Sequence, residues 1–372
     1  MALFDEGTTV VPARRRPVSR PLRVGVWALA VALVALLTLT LLPSTYVIQR
    51  PGPVFNTLGS APDSSGADVP LITVKGAPTF PTSGALDLLT VQVVGNRERT
   101  PSWFELALAW FDPAKAVLPL DDVFPQGQTT QQRNQESAVM MVDSQKEATA
   151  AALTQLGYDV KPMVEVYALT DDSAAQGILQ KGDVIRSANG QAITETDQLR
   201  TIINAGAGAP VRLAIERSGA SENVEVTPKQ ATVDGKSTWL VGISTMHDYD
   251  FPIDVTLQLN NVGGPSAGMM FALGIIDTLS DGNLNGGAQV AGTGTIDAAG
   301  TVGPIGGIRQ KMYGAVGAGA TYFLAPRDNC DEVVGHVPSG LRVFSVATLK
   351  DSLQVLSTIR DKGDLDALPT CR

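Results

Sequence analysis

Gly263-Gly264-Pro265-Ser266-Ala267-Gly268 is a turn that runs into a helix whose apolar stripe is Met269, Met270, Leu273 and Ile276. Paired glycines permit tight backbone geometry, and proline suits the first helical position. Ser266 is thereby placed where unpaired N–H groups gather and the helix dipole favours negative charge. Taken alone, such a serine is most often a cap. A second stretch changes its meaning. Pro304-Ile305-Gly306-Gly307-Ile308-Arg309-Gln310-Lys311-Met312-Tyr313-Gly314-Ala315-Val316 reads as a turn entering a helix. Ile308, Met312 and Ala315 mark its apolar stripe at i, i+4 and i+7, and Lys311 at i+3 falls inside it, whereas Arg309 and Gln310 can point elsewhere.

An ammonium on a core-facing stripe must snorkel, find a partner or lose its proton. To serve as a base near neutrality it must fall roughly 2.5–3 units from about 10.4, or about 3.5–4 kcal/mol. Burial supplies shifts of that size. Neutral Lys311 is then a base for a Ser266 nucleophile, and backbone N–H groups near Ser266 and Ala267 are candidates to hold an oxyanion. The two histidines, His247 and His336, have no triad motif around them. With only scattered carboxylates beside them they show no metal-ligand spacing, so no metal or cofactor is expected.

The chain of 372 residues has room for about two or three domains. A net charge of −9 argues against an electrostatic nucleic-acid binder. The uncharged run Val24–Leu42 follows Arg14, Arg15, Arg16, Arg20 and Arg23. At about 1.5 Å per residue it matches a hydrocarbon core of about 30 Å. The expectation is a single-pass transmembrane helix over 24–42, with a basic cytoplasmic tail over 1–23 and everything later outside. A cleaved signal peptide competes, but the run is long for one and Leu42-Pro43-Ser44-Thr45-Tyr46 offers no A-x-A-like site. Two cysteines, Cys330 and Cys371, cannot build a Cys₄ metal site. In an oxidising exterior they can form one bridge pinning the C-terminal tail; unlinked thiols are the alternative.

Residues 43–70 are rich in Pro, Gly, Ser and Asp and read as a linker. Leu71–Lys75 and Leu86–Val94 read as strands, Trp103–Phe111 as a short helix, Gln126–Gln135 as a polar loop, and Glu136–Leu156 as a long helix. The texture then changes to short strands and turns. Ser173-Ala174-Ala175, Leu179-Gln180-Lys181-Gly182-Asp183-Val184-Ile185, the Asn189-Gly190 hairpin and a helix over Asp197–Asn204 together resemble a PDZ domain. That resemblance implies β-augmentation, in which an extended peptide adds as a strand beside the groove helix. The family's carboxylate-binding glycine loop has no clean counterpart here, Leu156-Gly157-Tyr158 being the nearest. Asp234-Gly235-Lys236-Ser237-Thr238 is not a phosphate loop, because Gln230 stands where the motif needs glycine; it reads as a hairpin turn.

Gly264-Pro265-Ser266-Ala267-Gly268, then Thr293-Gly294, then Pro304-Ile305-Gly306-Gly307 and Lys311, in that order, resemble the proteolytic domain of Lon proteases. The resemblance implies Ser266 as nucleophile, Lys311 as general base and Thr293 as a supporting polar residue. Val262-Gly263 replaces the Lys-Asp usual before Gly-Pro-Ser in ATP-dependent Lon, and Thr295 replaces a glutamate after Thr-Gly. Glu136–Ala152 is similar to the helix preceding the family's core strands. The expected fold is α+β: residues 71–156 and 230–355 form a Lon-like domain, a β-rich PDZ over 157–229 is inserted in it, and 356–372 is a tail. Together with the anchor, this resembles the bacterial membrane-anchored PDZ-containing Lon-like proteases. The expected function is ATP-independent cleavage of extracytoplasmic peptides or proteins at the cell membrane by a Ser-Lys dyad, with the PDZ domain serving substrate recognition or regulation. Assembly as a homo-oligomer is left open. A rival from another class is a membrane-tethered PDZ adaptor whose Lon-like domain is an inert scaffold.

Overall fold

The computed structural model describes residues 20–63, 65–127, 129–233, 236–259, 262–281 and 283–372. Most of the expected basic tail, residues 1–19, lies outside them. Helix α1 (Arg20–Leu41) covers the apolar run. No helix among the described residues is long and apolar enough to cross a membrane; the α1 side chains over residues 24–40 are exposed throughout.

The expected linker over 43–70 is instead part of the fold. Strand β1 (Tyr46–Asn56) lies inside a six-stranded sheet, and β2 (Ser60–Pro62) and β3 (Asp68–Pro70) form a small hairpin. Pro51-Gly52-Pro53 reads as a spacer by composition, but here it is a bulge in β1, where the register shifts between Pro51 and Val54. Gly52 leaves room for Thr90, whose hydroxyl donates to the Pro53 carbonyl at 2.8 Å. β4 (Ile72–Lys75), β5 (Ala85–Val94) and α2 (Trp103–Trp110) fall close to expectation. β6 (Ala116–Pro119) pairs with the outer side of β1 and leads into the one-turn helix α3 (Leu120–Val123). The polar loop expected over 126–135 ends early. Thr129 and Gln132 form a capping box, so helix α4 (Thr130–Gln155) starts there.

The inserted module holds its own core, with Val164, Ile185, Leu199, Leu213 and Val226 buried together. Its elements are β7 (Lys161–Leu169), β8 (Val184–Ala188), β9 (Gln191–Ala192), α5 (Thr196–Ala205), β10 (Val211–Arg217) and β11 (Ala220–Val226). Asp183 of the Gly-Asp pair is buried and takes a bidentate contact from Arg217 at 2.6 and 2.7 Å, which locks the turn before β8. The module does not end at residue 229. A hairpin of β12 (Lys229–Val233) and β13 (Lys236–Leu240) returns the chain to β14 (Ile243–Asp250), the edge strand beside β7, giving the order β11-β10-β8-β7-β14. The tip of that hairpin, Asp234-Gly235, lies outside the described residues.

β15 (Asp254–Leu257) then pairs with β4, and α6 (Gly268–Leu279) buries nearly its whole length. β16 (Gln289–Gly292) enters the sheet parallel to β5; β17 (Thr295–Ile296) and β18 (Val302–Gly303) form a short hairpin. α7 (Ile308–Gly317), β19 (Tyr322–Pro326), the short α8 (Cys330–Val333), β20 (Arg342–Val346) and α9 (Leu349–Arg360) complete the order β20-β19-β16-β5-β1-β6. α6 packs on one face of this sheet through Leu86 and Leu88, and α7 on the other through Leu89. Lys311 on α7 and Ser266 in the turn before α6 therefore approach each other from opposite faces of the sheet. α9 runs past the expected boundary at 355, and the tail is held by a Cys330–Cys371 disulfide and the buried Leu368.

Candidate active site

Helix α7 is preceded by Gly307 as its N-cap, whose φ of +72° is a left-handed turn that glycine favours. A Cβ there would lie 2.9 Å from Val91 Cγ1. That turn aims the helix so that Ile308, Lys311, Met312 and Ala315 all face inward. Gln310 is buried as well, contrary to expectation, because the helix is enclosed on more than its apolar stripe. Lys311 is 1% exposed. Burial pushes its amine down to about 7.

Its Nζ lies 2.7 Å from Ser266 Oγ and 2.9 Å from Thr293 Oγ1. Thr293 is fully buried, and its hydroxyl donates to the Ser266 carbonyl at 2.9 Å. The single hydroxyl proton is thereby used, so towards Lys311 the threonine accepts. A neutral amine has two N–H groups and one lone pair. With one N–H directed to Thr293, the lone pair is left to accept the Ser266 proton. All three polar residues of the expected site are thus in contact.

Ser266 does not lie on the helix itself: α6 starts two residues later, with Ala267 as its N-cap. The serine occupies the turn before it. There Gly264 has a φ of +86° and its N–H donates to the Ser137 carbonyl of α4 at 2.8 Å. Ser266 and Ala267 line a cavity of about 800 Å³ whose walls include Phe55, Leu89, Met141 and Val262. The nucleophile candidate therefore opens onto a space large enough for an extended peptide segment, with a mainly apolar wall.

A larger cavity, about 1830 Å³, lies between the PDZ groove and the proteolytic core. α5 and β13–β14 form one wall; Ser144, Glu147, Pro265 and Ala298 belong to the other. Thr196 of α5 and Thr245 of β14 share a hydrogen bond of 2.9 Å across the groove. Leu156-Gly157-Tyr158 is not a carboxylate loop. Gly157 N–H to the Thr154 carbonyl and Tyr158 N–H to the Leu153 carbonyl close the end of α4 as a Schellman cap. The glycine turn beside the groove is Val241-Gly242-Ile243, where Gly242 has a φ of +75°. Thr170 N–H donates to the Gly242 carbonyl and Ala175 N–H to the Val241 carbonyl. A glycine between apolar residues, just before an alternating strand, was the signal for it.

The Glu147 carboxylate accepts from the Tyr249 hydroxyl and from Ala298 N–H, each at 2.6 Å. This joins β14, α4 and the β17–β18 hairpin. Burial, reinforced by that carboxylate, holds the Tyr249 phenol well above its usual range.

Residues 244–358 match the Lon protease (S16) C-terminal proteolytic domain, and residues 165–217 match a PDZ domain. Lon protease 1 of Sorangium cellulosum is 40% identical over 93 residues, 24% of this chain and 11% of its own length. The Lon protease of Campylobacter jejuni is 32% identical over 131 residues, 34% of this chain and 16% of its own. The chain thus spans only a small part of the curated relatives it matches. A PDZ domain of the SdrC-like protein from Listeria innocua is 25% identical and covers 22% of this chain and 92% of its own, with a TM-score of 0.20. The chain thus joins a stretch similar to the Lon proteolytic domain, over residues 244–358, with one similar to a PDZ domain, over residues 165–217.

Proposed function

We propose that this protein is a membrane-anchored serine endopeptidase that cleaves extracytoplasmic peptides or flexible protein segments without ATP. The observation that carries the proposal is the buried contact of Lys311 Nζ with Ser266 Oγ at 2.7 Å, braced by Thr293. Lys311 accepts the Ser266 proton as Oγ attacks the scissile carbonyl carbon. The resulting oxyanion is held by backbone N–H groups of Ser266 and Ala267. Protonated Lys311 then gives its proton to the leaving amine, and the acyl group stays on Ser266 as an ester. A water molecule, deprotonated by Lys311, attacks that ester, and the returning proton restores the serine hydroxyl.

The PDZ groove opens toward the proteolytic core. An extended peptide added along β14 would be held close to the nucleophile turn. Anchoring is supported by the uncharged run Val24–Leu42 and the arginines before it. The Cys330–Cys371 bridge supports an oxidising, extracytoplasmic location. Neither is needed for the chemistry.

The test is hydrolysis of a flexible protein such as casein by the full chain in detergent micelles. Wild type should release peptides without added nucleotide, and Ser266→Ala should release none. Undiminished hydrolysis by Ser266→Ala would refute the assignment; a wild type that binds peptides without cutting them would favour the adaptor.

A further inference from the structure

The nucleophile turn has two successive peptide carbonyls, and each is held by a buried hydroxyl from a different element. Thr293 Oγ1 donates to the Ser266 carbonyl at 2.9 Å, with Gly294 N–H joining at 3.0 Å. Ser144 Oγ of α4 donates to the Pro265 carbonyl at 3.0 Å, with Gly268 N–H at 3.4 Å. A trans peptide points its N–H opposite to its C=O. Fixing the Pro265 carbonyl therefore fixes the Ser266 N–H, and fixing the Ser266 carbonyl fixes the Ala267 N–H. Among the described residues neither N–H has a partner.

The cavities agree with this orientation. Ser144 and Pro265 line the large cavity beside the PDZ, whereas Ser266 and Ala267 line the smaller one. The carbonyl held by Ser144 points to that side chain, so the Ser266 N–H points away from it, and Ser266 itself borders the smaller cavity.

The last glycine of Gly264-Pro265-Ser266-Ala267-Gly268 gives independent support. A Cβ on Gly268 would fall 2.9 Å from Ser144 Oγ and 3.0 Å from Ile296 Cγ2. Only glycine at this point lets α4 approach closely enough for the hydroxyl to reach the Pro265 carbonyl. Ser144 is itself buried, on the same face of α4 as Met141, Ala148 and Ala151. A hydroxyl among methyl and thioether groups must be hydrogen-bonded, and the Pro265 carbonyl is what it bonds.

We propose that Ser144 is a positioning residue: its hydroxyl orients the Pro265–Ser266 peptide so that the Ser266 N–H serves the oxyanion. This rests on the Ser–Lys reading of the site. Ser144 touches neither the scissile bond nor Lys311, and it acts wholly through the peptide plane.

Full-chain Ser144→Ala, a helix-compatible change, tests the idea. It should lower kcat about tenfold and leave KM nearly unchanged. Its affinity for a peptide boronic acid, whose tetrahedral adduct carries the oxygen in question, should fall by a similar factor. Affinity for the matching unreactive peptide should hold. Ser144→Thr, which keeps the hydroxyl, should recover most of kcat. Wild-type kcat and boronate affinity in Ser144→Ala would overturn the proposal, as would equal losses for boronate and plain peptide. If wild type neither hydrolyses peptides nor binds the boronate, the Ser–Lys reading itself has failed, and the proposal fails with it.

Discussion

Lys311→Met should abolish peptide hydrolysis and at the same time make the proteolytic domain harder to unfold at pH 6. The two effects have one cause. Lys311 is almost wholly enclosed, with Ile308 and Met312 buried beside it on α7, and its amine is pushed down to about 7 from 10.5 by burial. In the unfolded chain the amine keeps its ordinary value and binds a proton across that interval. Stability therefore rises with pH between about 7 and 10.5, and the full penalty of the buried amine applies below about 7. A fall of roughly 3.5 units corresponds to about 4–5 kcal/mol. Methionine has a similar length and no charge to desolvate, but it gives up the contacts with Ser266 and Thr293. A net gain of about 2–4 kcal/mol is expected at pH 6, shrinking as pH approaches 10. Urea unfolding at pH 6 and pH 9.5 reads it directly. A variant less stable than wild type at both pH values would mean that the lysine contributes net stability and is not held as a strained base.

The second large effect is on rate. Below pH 7, kcat/KM should fall about tenfold per unit, so that activity at pH 5 is about a hundredth of its plateau. The sign follows from the base: Lys311 must be neutral to take the Ser266 proton, and acid protonates it. Asp87, pushed up to about 6 by burial within β5, is another group whose titration falls near this range. It is not among the residues lining the Ser266 cavity. Asp87→Asn should therefore leave the acid limb in place. A pH-independent rate from 5 to 8, or a limb that vanishes in Asp87→Asn, would remove Lys311 from the role of base.

Much of this site could be read from the chain because its motif residues act locally. Gly264-Pro265 and Gly306-Gly307 each dictate a turn, and Lys311 at i+3 falls inside an apolar stripe. What escaped the sequence depends on contacts between distant segments. Pro51-Gly52-Pro53 carries the composition of a spacer, and only the approach of Thr90 makes it a bulge in a central strand. β14 belongs to the PDZ sheet through pairing with β7, some 80 residues earlier, and no local pattern announces that. Ser144 looks like any small polar residue in a long helix until α6 is packed against it. Ser266 itself lies before the helix and not within it, because the hydrogen bonds to its own carbonyl come from Thr293 and Gly294.

The central claim is that Ser266 carries the acyl group. Brief mixing of the full chain with an activated peptide ester ending in leucine, matched to the apolar wall of the Ser266 cavity, followed by acid quench and peptide mapping, tests it most directly. The account predicts an acyl adduct on Ser266 in the wild type and none in Ser266→Ala or Lys311→Met. An adduct on another residue, or one that persists in Ser266→Ala, would contradict it.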